Sequence, residues 1–94
     1  MTAPVVVYTT RSCGYCNAAK RFLRDAKKVP FQEIDVSDDP DARRALVERS
    51  GQMTVPQIWI GTRHVGGYDD LRALDAAGTL NGLLAATSDA SAAG

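Results

Sequence analysis

The sequence has little cysteine, few aromatic residues, no excess of charge and no long apolar run. Of its 94 residues, two are cysteines and 6% are aromatic. Two cysteines are too few for a secreted miniprotein, in which several disulfides supplement a small core. No apolar run approaches the ~20 residues that a membrane-crossing helix requires. These absences exclude a disulfide-stapled scaffold and a transmembrane helix.

The charges balance, because 11 Lys and Arg residues stand against 11 Asp and Glu residues. A balanced total gives no reason to expect nucleic acid or an anionic membrane as a partner. The charges are nevertheless segregated along the chain. Residues 11–28 contain six basic and one acidic side chain, whereas residues 33–48 contain six acidic and two basic ones. The basic segment would attract anionic substrates.

The composition is that of one globular domain, with 45% hydrophobic and 23% charged residues. We expect the domain to cover residues 1–84. A flexible tail is expected at residues 85–94, where small residues offer little to bury. The start of the chain has neither the basic nor the apolar segment of a secretory signal, so the expected compartment is a reducing cytoplasm.

The hydrophobic pattern predicts a β-α-β-α-β-β-α order of elements. The predicted strands are 5–8, 31–36, 57–60 and 63–66, and the predicted helices are 14–28, 39–50 and a last one from about 70 to Gly78. The run at 5–8 is β-branched and continuously apolar, which is typical of a central strand buried on both faces. Apolar residues at helical spacing, Ala19, Phe22, Leu23 and Ala26, predict the buried face of the first helix. Gly61-Thr62 is suited to a type II′ hairpin turn.

The two cysteines form the motif Cys13-Gly14-Tyr15-Cys16 at the start of the first predicted helix. Residues three apart are neighbours on a helix surface, so the two sulfurs can form and break a disulfide. Cys13 falls at the cap position, where free backbone N–H groups favour an anion. Cys16 lies on the buried stripe. The spacing therefore predicts an exposed nucleophile at Cys13 and a recessed, resolving thiol at Cys16.

Two other interpretations of the pair compete with this one. A zinc site would need two further ligands, and the chain offers only His64 besides carboxylates. A structural role as a small hydrophobe suits Cys16 but not Cys13 at a helix tip. Among basic side chains, Arg11 is the nearest in sequence to Cys13 and is predicted to stabilise its thiolate, with Lys20 as the second choice.

Four motifs follow one another along the chain: Tyr8-Thr9, Cys13-Gly14-Tyr15-Cys16, Thr54-Val55-Pro56-Gln57-Ile58 and Gly66-Gly67-Tyr68-Asp69-Asp70-Leu71. Together, in this order and spacing, they resemble the glutaredoxin family. The resemblance covers about residues 5–84 and is greatest to the small bacterial glutaredoxin 3 group. It implies an α/β thioredoxin fold, in which a four-stranded mixed sheet of order 2-1-3-4 is flanked by helices. It also implies a cis peptide bond between Val55 and Pro56.

The resemblance further implies a dithiol enzyme, a glutathione-dependent thiol–disulfide oxidoreductase that reduces protein disulfides and glutathione mixed disulfides. Cys13 and Cys16 would be catalytic, glutathione would be the reductant, and no metal is expected. The implied glutathione-binding residues are Arg11, Tyr15, Gln52, Thr54, Val55, Pro56, Gly67, Tyr68 and Asp69. The expected partners are glutathione, glutathionylated or disulfide-containing proteins and, indirectly, glutathione reductase. The protein itself is expected to be a monomer.

Within that implied site, each charged group of glutathione has an expected contact. Gln52 matches the family position that binds the glycyl carboxylate, and the start of the last helix suits the γ-glutamyl carboxylate. Asp69 would meet the ammonium group. The competing interpretation of Asp69 and Asp70 is helix capping, which we expect for at least one of them.

Two departures from the family pattern leave alternatives open. Thr10 stands where the family often has a lysine, and Arg11 is the expected substitute. Gly14 stands where the commonest motif has proline, and some glutaredoxins without that proline bridge a [2Fe–2S] cluster between two subunits. An iron–sulfur carrier is therefore the alternative to the enzyme. A different low-molecular-weight thiol as reductant is a further alternative.

Overall fold

The computed structural model describes residues 4–85. The strands are β1 (Val5–Thr9), β2 (Gln32–Asp35), β3 (Gln57–Ile60) and β4 (Arg63–Gly66), and the helices are α1 (Gly14–Arg21), α2 (Pro40–Ser50) and α3 (Tyr68–Ala76). Residues 80–85 are also helical. Of the predicted tail at residues 85–94, only residue 85 lies within the described residues. Over the described chain, every helix is too short or too polar to cross a membrane.

The four strands form one mixed sheet in the order β2-β1-β3-β4. β1 is parallel to β2 and antiparallel to β3, and β3 is antiparallel to β4. The crossover from β1 to β2 runs through α1, as a parallel pair requires. The predicted element order and sheet order are therefore confirmed, and β1 occupies the predicted central position.

Helices cover both faces of the sheet because alternate strand residues point to opposite sides. On one face lies the main core. It joins Val7 and Ile58 to Leu71 of α3 and to Leu23, in the helical turn that directly follows α1, and all four are fully buried. On the other face a smaller core places Leu46 of α2 against Val36 and Trp59. The hydrophobic pattern of the strands thus fixes where each helix packs.

The predicted ends of α2 and α3 are confirmed. The Asp39 carboxylate accepts a hydrogen bond from Ala42 N at 3.0 Å and caps α2. Gly51 ends α2 in the left-handed conformation, with φ 72°, and Gly78 adopts φ 79° just after α3. These signals are reliable because each depends on residues within one helical turn.

The first helix differs from its prediction in its last turn. α1 continues directly into a π-helical turn, Phe22–Ala26, in which Lys27 N donates to Phe22 O at 3.1 Å. The wider turn shifts the buried stripe, so Ala26 is exposed instead of buried. Lys28 ends the turn with φ 54°. The ammonium group of Lys27 contacts Asp75 and Asn81.

An ion pair between Lys20 and Glu33 joins α1 to the sheet. The Lys20 ammonium donates to the Glu33 carboxylate at 2.9 Å, and the buried Thr9 hydroxyl donates to the same oxygen at 2.8 Å. These two donors, Lys20 first, hold the pKa of Glu33 below its ordinary value. α1, β1 and β2 are thus joined by one carboxylate.

Glu33→Gln is expected to lower the free energy of unfolding by ~0.5–1 kcal/mol at pH 7, the usual range for a partly exposed pair. The lowered pKa of Glu33 in the folded state stabilises the protein at pH values above the ordinary pKa of Glu. This contribution to stability is lost as the pH falls through the pKa that Glu33 has in the folded state. The difference from wild type should therefore shrink below about pH 4. Urea unfolding at several pH values measures it, with the exposed Glu48→Gln as the matched control. A difference that persists at low pH would contradict the ion-pair explanation.

Candidate active site

Cys13 occupies the N-cap of α1, as its spacing predicted. Its backbone is extended, with φ −116° and ψ 107°, and its Sγ accepts a hydrogen bond from Cys16 N at 3.1 Å. A cap sulfur in this position receives the free N–H groups and the positive end of the helix dipole. Cys13 is also partly exposed. Cys13 is therefore partly accessible, and its sulfur lies at the N-terminus of α1.

Cys16 lies one turn further on and is fully buried, with 0% of its surface exposed. Burial, followed by its hydrogen bond with Cys13, raises the pKa of the Cys16 thiol to about 12. Both cysteines are free thiols. The pair is therefore asymmetric, because one sulfur is accessible while the other is buried and protonated at neutral pH.

This asymmetry predicts selective alkylation. Iodoacetamide at pH 8 should modify Cys13 of the reduced, folded protein and leave Cys16 unmodified, since a buried protonated thiol is a poor nucleophile. Peptide mass spectrometry locates the label. In urea both cysteines should react, which controls for the intrinsic reactivity of Cys16. Equal labelling of both cysteines in the folded protein would show that Cys16 is accessible.

The loop before β3 faces Cys13. The peptide bond between Val55 and Pro56 is cis, as the resemblance implied. The Cys13 Sγ lies 3.6 Å from the carbonyl oxygen of Val55. The backbone of Val55 therefore offers a polar surface directly beside the Cys13 sulfur.

A cavity of about 300 Å³ lies beside this loop and collects most of the implied binding residues. Its lining residues are Tyr15, Gln52, Thr54, Val55, Pro56, Gly67, Tyr68, Asp69 and Asp70. They come from the start of α1, the loop before β3 and the start of α3. All the implied glutathione-binding residues except Arg11 thus line one cavity.

Arg11 does not line the cavity. Its guanidinium forms a two-armed ion pair with the Asp38 carboxylate, and its backbone N–H donates to the Ser37 hydroxyl at 2.8 Å. The guanidinium is therefore directed toward the start of α2. The prediction that Arg11 stabilises Cys13 and replaces the lysine missing at Thr10 is not supported by this placement. Proximity in sequence does not determine the partner of Arg11, because its long side chain can reach charged groups on other segments of the folded chain.

The start of α3 separates the roles of two adjacent carboxylates. The Asp70 carboxylate accepts a hydrogen bond from Gly67 N at 3.0 Å, so Asp70 caps the helix. The Asp69 side chain has no hydrogen bond or ion pair within residues 4–85, and it lines the cavity. Capping is thus confirmed for one of the pair, and Asp69 is left free to bind a cation.

Sequence reasoning missed one residue of the site. Gln57 was identified only as part of a motif, yet its side chain is fully buried and contacts Gln52, Thr54 and His64. A polar residue at the first position of an apolar strand was the available signal, because a buried amide must find partners.

Within the described chain, no group of three or more His, Cys, Asp or Glu side chains is placed to hold a metal ion. His64, the only nitrogen ligand available for the alternative zinc site, is occupied elsewhere: it stacks on Trp59 with ring centroids 4.5 Å apart. Among residues 4–85, the cysteines therefore have no further metal-ligating side chains beside them.

A sheet of order 2-1-3-4 with a partly exposed thiol at a helix N-cap, a buried thiol one turn later and a cis-proline loop opposite defines a thioredoxin-fold thiol–disulfide oxidoreductase. The glutaredoxin family model matches residues 5–65. The chain belongs to the glutaredoxin family.

Relatives support that assignment over most of the chain. The chain is 54% identical to a glutaredoxin of Pseudomonas aeruginosa over 83 residues, covering 88% of this chain and 98% of that protein. It is 48% identical to glutaredoxin 3 of Escherichia coli K12 over 82 residues, covering 87% and 98%. The crystal structure of a buckwheat glutaredoxin–glutathione complex superposes with a TM-score of 0.78 at 34% identity, covering 87% and 76%.

Proposed function

We propose that this protein is a glutathione-dependent oxidoreductase that reduces glutathione mixed disulfides and protein disulfides through Cys13 and Cys16. The observation that carries the proposal is the cavity beside Cys13. Eight of the nine binding residues implied by sequence line it, although they come from three separate segments of the chain. The solved buckwheat relative in complex with glutathione adds support.

The cavity offers a partner for each charged group of glutathione. The ligand carries two carboxylates and one ammonium group. The backbone N–H groups at the start of α3 suit the γ-glutamyl carboxylate, and the free Asp69 carboxylate suits the ammonium group. Gln52 would donate to the glycyl carboxylate. The backbone of Val55 would pair with the cysteinyl unit, whose sulfur then lies beside Cys13.

The reaction on a mixed disulfide needs one protein thiol. The Cys13 thiolate attacks the glutathione sulfur, the disulfide breaks, and the substrate leaves as a thiolate that takes up a proton. Cys13 is then joined to glutathione. A second glutathione thiolate attacks the bound glutathione sulfur, which releases Cys13 and forms oxidised glutathione. In the net reaction one free glutathione is consumed, the substrate is released as a thiol, and the glutathionyl unit of the mixed disulfide becomes half of the oxidised glutathione.

A protein disulfide requires the second thiol. Cys13 attacks one substrate sulfur to form a mixed disulfide with the protein substrate, and Cys16 then attacks the Cys13 sulfur. The substrate is released as a dithiol and the Cys13–Cys16 disulfide remains. Two glutathione molecules reduce it. Cys16 must lose its proton for this step, which its burial in the free dithiol disfavours.

We further propose that the protein acts as a monomer in a reducing cytoplasm, where glutathione reductase regenerates the glutathione it oxidises. The alternative, an iron–sulfur carrier in which Cys13 and glutathione of two subunits bridge a [2Fe–2S] cluster, is not favoured by the family match or the relatives. Another low-molecular-weight thiol as reductant is the alternative that the assay below addresses.

The test is a mixed-disulfide reductase assay in which release of the reduced substrate thiol is followed directly. A small chromogenic substrate already joined to glutathione is reduced, and glutathione is compared with 2-mercaptoethanol at equal thiolate concentration. The proposal predicts a much higher kcat/KM with glutathione, because only glutathione has the charged groups that the cavity binds. Equal rates with both thiols would overturn glutathione dependence while leaving the oxidoreductase class intact.

A further inference from the structure

The inference concerns Gln57, the buried amide at the first position of β3, which no step of the proposed reaction uses. Its side chain is fully buried. Its Nε2 lies 2.9 Å from Gln52 Oε1 and 3.0 Å from the Thr54 carbonyl oxygen, and its Oε1 lies 2.7 Å from His64 Nε2. A buried amide with every group satisfied is rigid, because turning it over would break all of these bonds at once.

The Thr54 carbonyl determines which way the Gln57 amide points. A backbone carbonyl can only accept a hydrogen bond, so the group that faces it must be the NH₂ of Gln57. The oxygen of Gln57 therefore faces His64, and His64 must carry a proton on Nε2 to donate to it. His64 is itself held by stacking on the buried Trp59.

The same reasoning determines the orientation of Gln52. The NH₂ of Gln57, which also lies 3.3 Å from the Thr54 hydroxyl, can only donate, so Gln52 must turn its oxygen rather than its own NH₂ toward Gln57. The NH₂ of Gln52 is then left as a donor without a partner within the described chain, and Gln52 lines the cavity. An N–H donor on a cavity wall favours an anion over a neutral acceptor.

We propose that Gln57, held by His64, is a positioning residue that fixes the amide of Gln52 with its NH₂ as the outward donor, and so makes the cavity selective for a ligand carboxylate. Gln57 touches no ligand and acts only through its neighbours. This inference rests on the proposed function, because the carboxylate in question is that of the glycyl unit of glutathione.

The test compares two mixed-disulfide substrates, one with glutathione and one with glutathione whose glycyl carboxylate is an amide. Wild type should prefer the free carboxylate by about tenfold in kcat/KM, the usual effect of one hydrogen bond to a charged group. Gln57→Glu cannot donate to Gln52 or Thr54, so Gln52 should turn over and present its oxygen. The preference should then fall to about one or below.

The background variant Gln52→Ala separates positioning from a general charge effect. If Gln57 acts through Gln52, adding Gln57→Glu to Gln52→Ala should leave the remaining preference unchanged. Gln32→Glu, which makes the same change on the edge strand β2, is the matched control and should keep the wild-type preference. If Gln57→Glu lowered the preference for the free carboxylate by the same factor in the Gln52→Ala variant as in wild type, the inference would be overturned.

A second variant covers the case in which a buried glutamate prevents folding. His64→Phe keeps a ring to stack on Trp59 but removes the donor to Gln57, and His64 is only partly buried. It should lower the preference by about threefold, since a single hydrogen bond within the network is lost. An unchanged preference in a folded His64→Phe variant would contradict the role of His64 and Gln57.

NMR of the His64 ring nitrogens tests the orientation without any activity. The hydrogen-bond network requires a proton on Nε2, and a ring protonated on Nδ1 alone would overturn the inference. A wild type that does not use glutathione, but whose His64 carries the Nε2 proton, would overturn the proposed function while the amide orientation stands. A wild type that uses glutathione without preferring the free carboxylate would overturn the inference alone.

Discussion

Cys13→Ser should abolish reduction of a glutathione mixed disulfide, with kcat/KM falling by about three orders of magnitude or more. Cys13 is the accessible sulfur at the helix N-cap, 3.6 Å from the Val55 carbonyl oxygen, and the proposed reaction begins with its attack. A serine hydroxyl in that place is far less nucleophilic, because it stays protonated at neutral pH. The mixed-disulfide reductase assay measures the loss.

Cys16→Ser is the matched control, because it makes the same chemical change one turn away. It should retain mixed-disulfide reduction within about threefold of wild type, since Cys16 is buried and touches no part of that substrate. Reduction of a protein disulfide should fall more strongly, because Cys16 then has to resolve the intermediate. Equal losses on the mixed disulfide in both variants would contradict the assigned roles.

Gly66→Ala should lower the free energy of unfolding by about 3 kcal/mol and the melting temperature by about 10–20 °C. Gly66 adopts φ 111°, which residues with a Cβ rarely enter. A Cβ there would lie 3.0 Å from Asp70 Cγ and closer still to Oδ2. It would therefore push away the carboxylate that caps Gly67 and would disturb the cavity wall at the start of α3. Thermal unfolding followed by circular dichroism measures the change.

Gly82→Ala is the control for the glycine substitution. Gly82 lies in the helical segment 80–85, and a Cβ there would meet nothing within 4 Å. This substitution should leave the protein as stable as wild type or stabilise it by ~0.5–1 kcal/mol, because alanine favours a helix. Similar destabilisation by both substitutions would show that the effect at Gly66 is not specific to its conformation.

The parts of the site that follow from neighbours in sequence were predictable. The cap position of Cys13 and the burial of Cys16 follow from the start of one helix and its 3.6-residue period. The ends of α2 and α3 follow from Asp39 and the glycines after each helix. The π-helical turn at Phe22–Ala26 was not predictable, because its wider spacing leaves no distinct hydrophobic pattern.

The residues that converge on the cavity were named from motifs, but the sequence contains no direct information on their distances. Arg11 shows the limit of this approach. It lies two residues before Cys13, yet Asp38, contributed by the connection between β2 and α2, pairs with it. Its partner depends on which surface the folded chain brings near, which motif spacing does not encode.

The sequence by itself determined the strand and helix order, the asymmetry of the two cysteines and the membership of the oxidoreductase class. Each depends on local hydrophobic period, capping or a short motif. Three pairings follow from the folded structure alone: Asp70 caps while Asp69 is free, Arg11 pairs with Asp38, and Gln57 donates to Gln52. Such pairings depend on which segments meet in space and on the hydrogen bonds that buried polar groups must satisfy there.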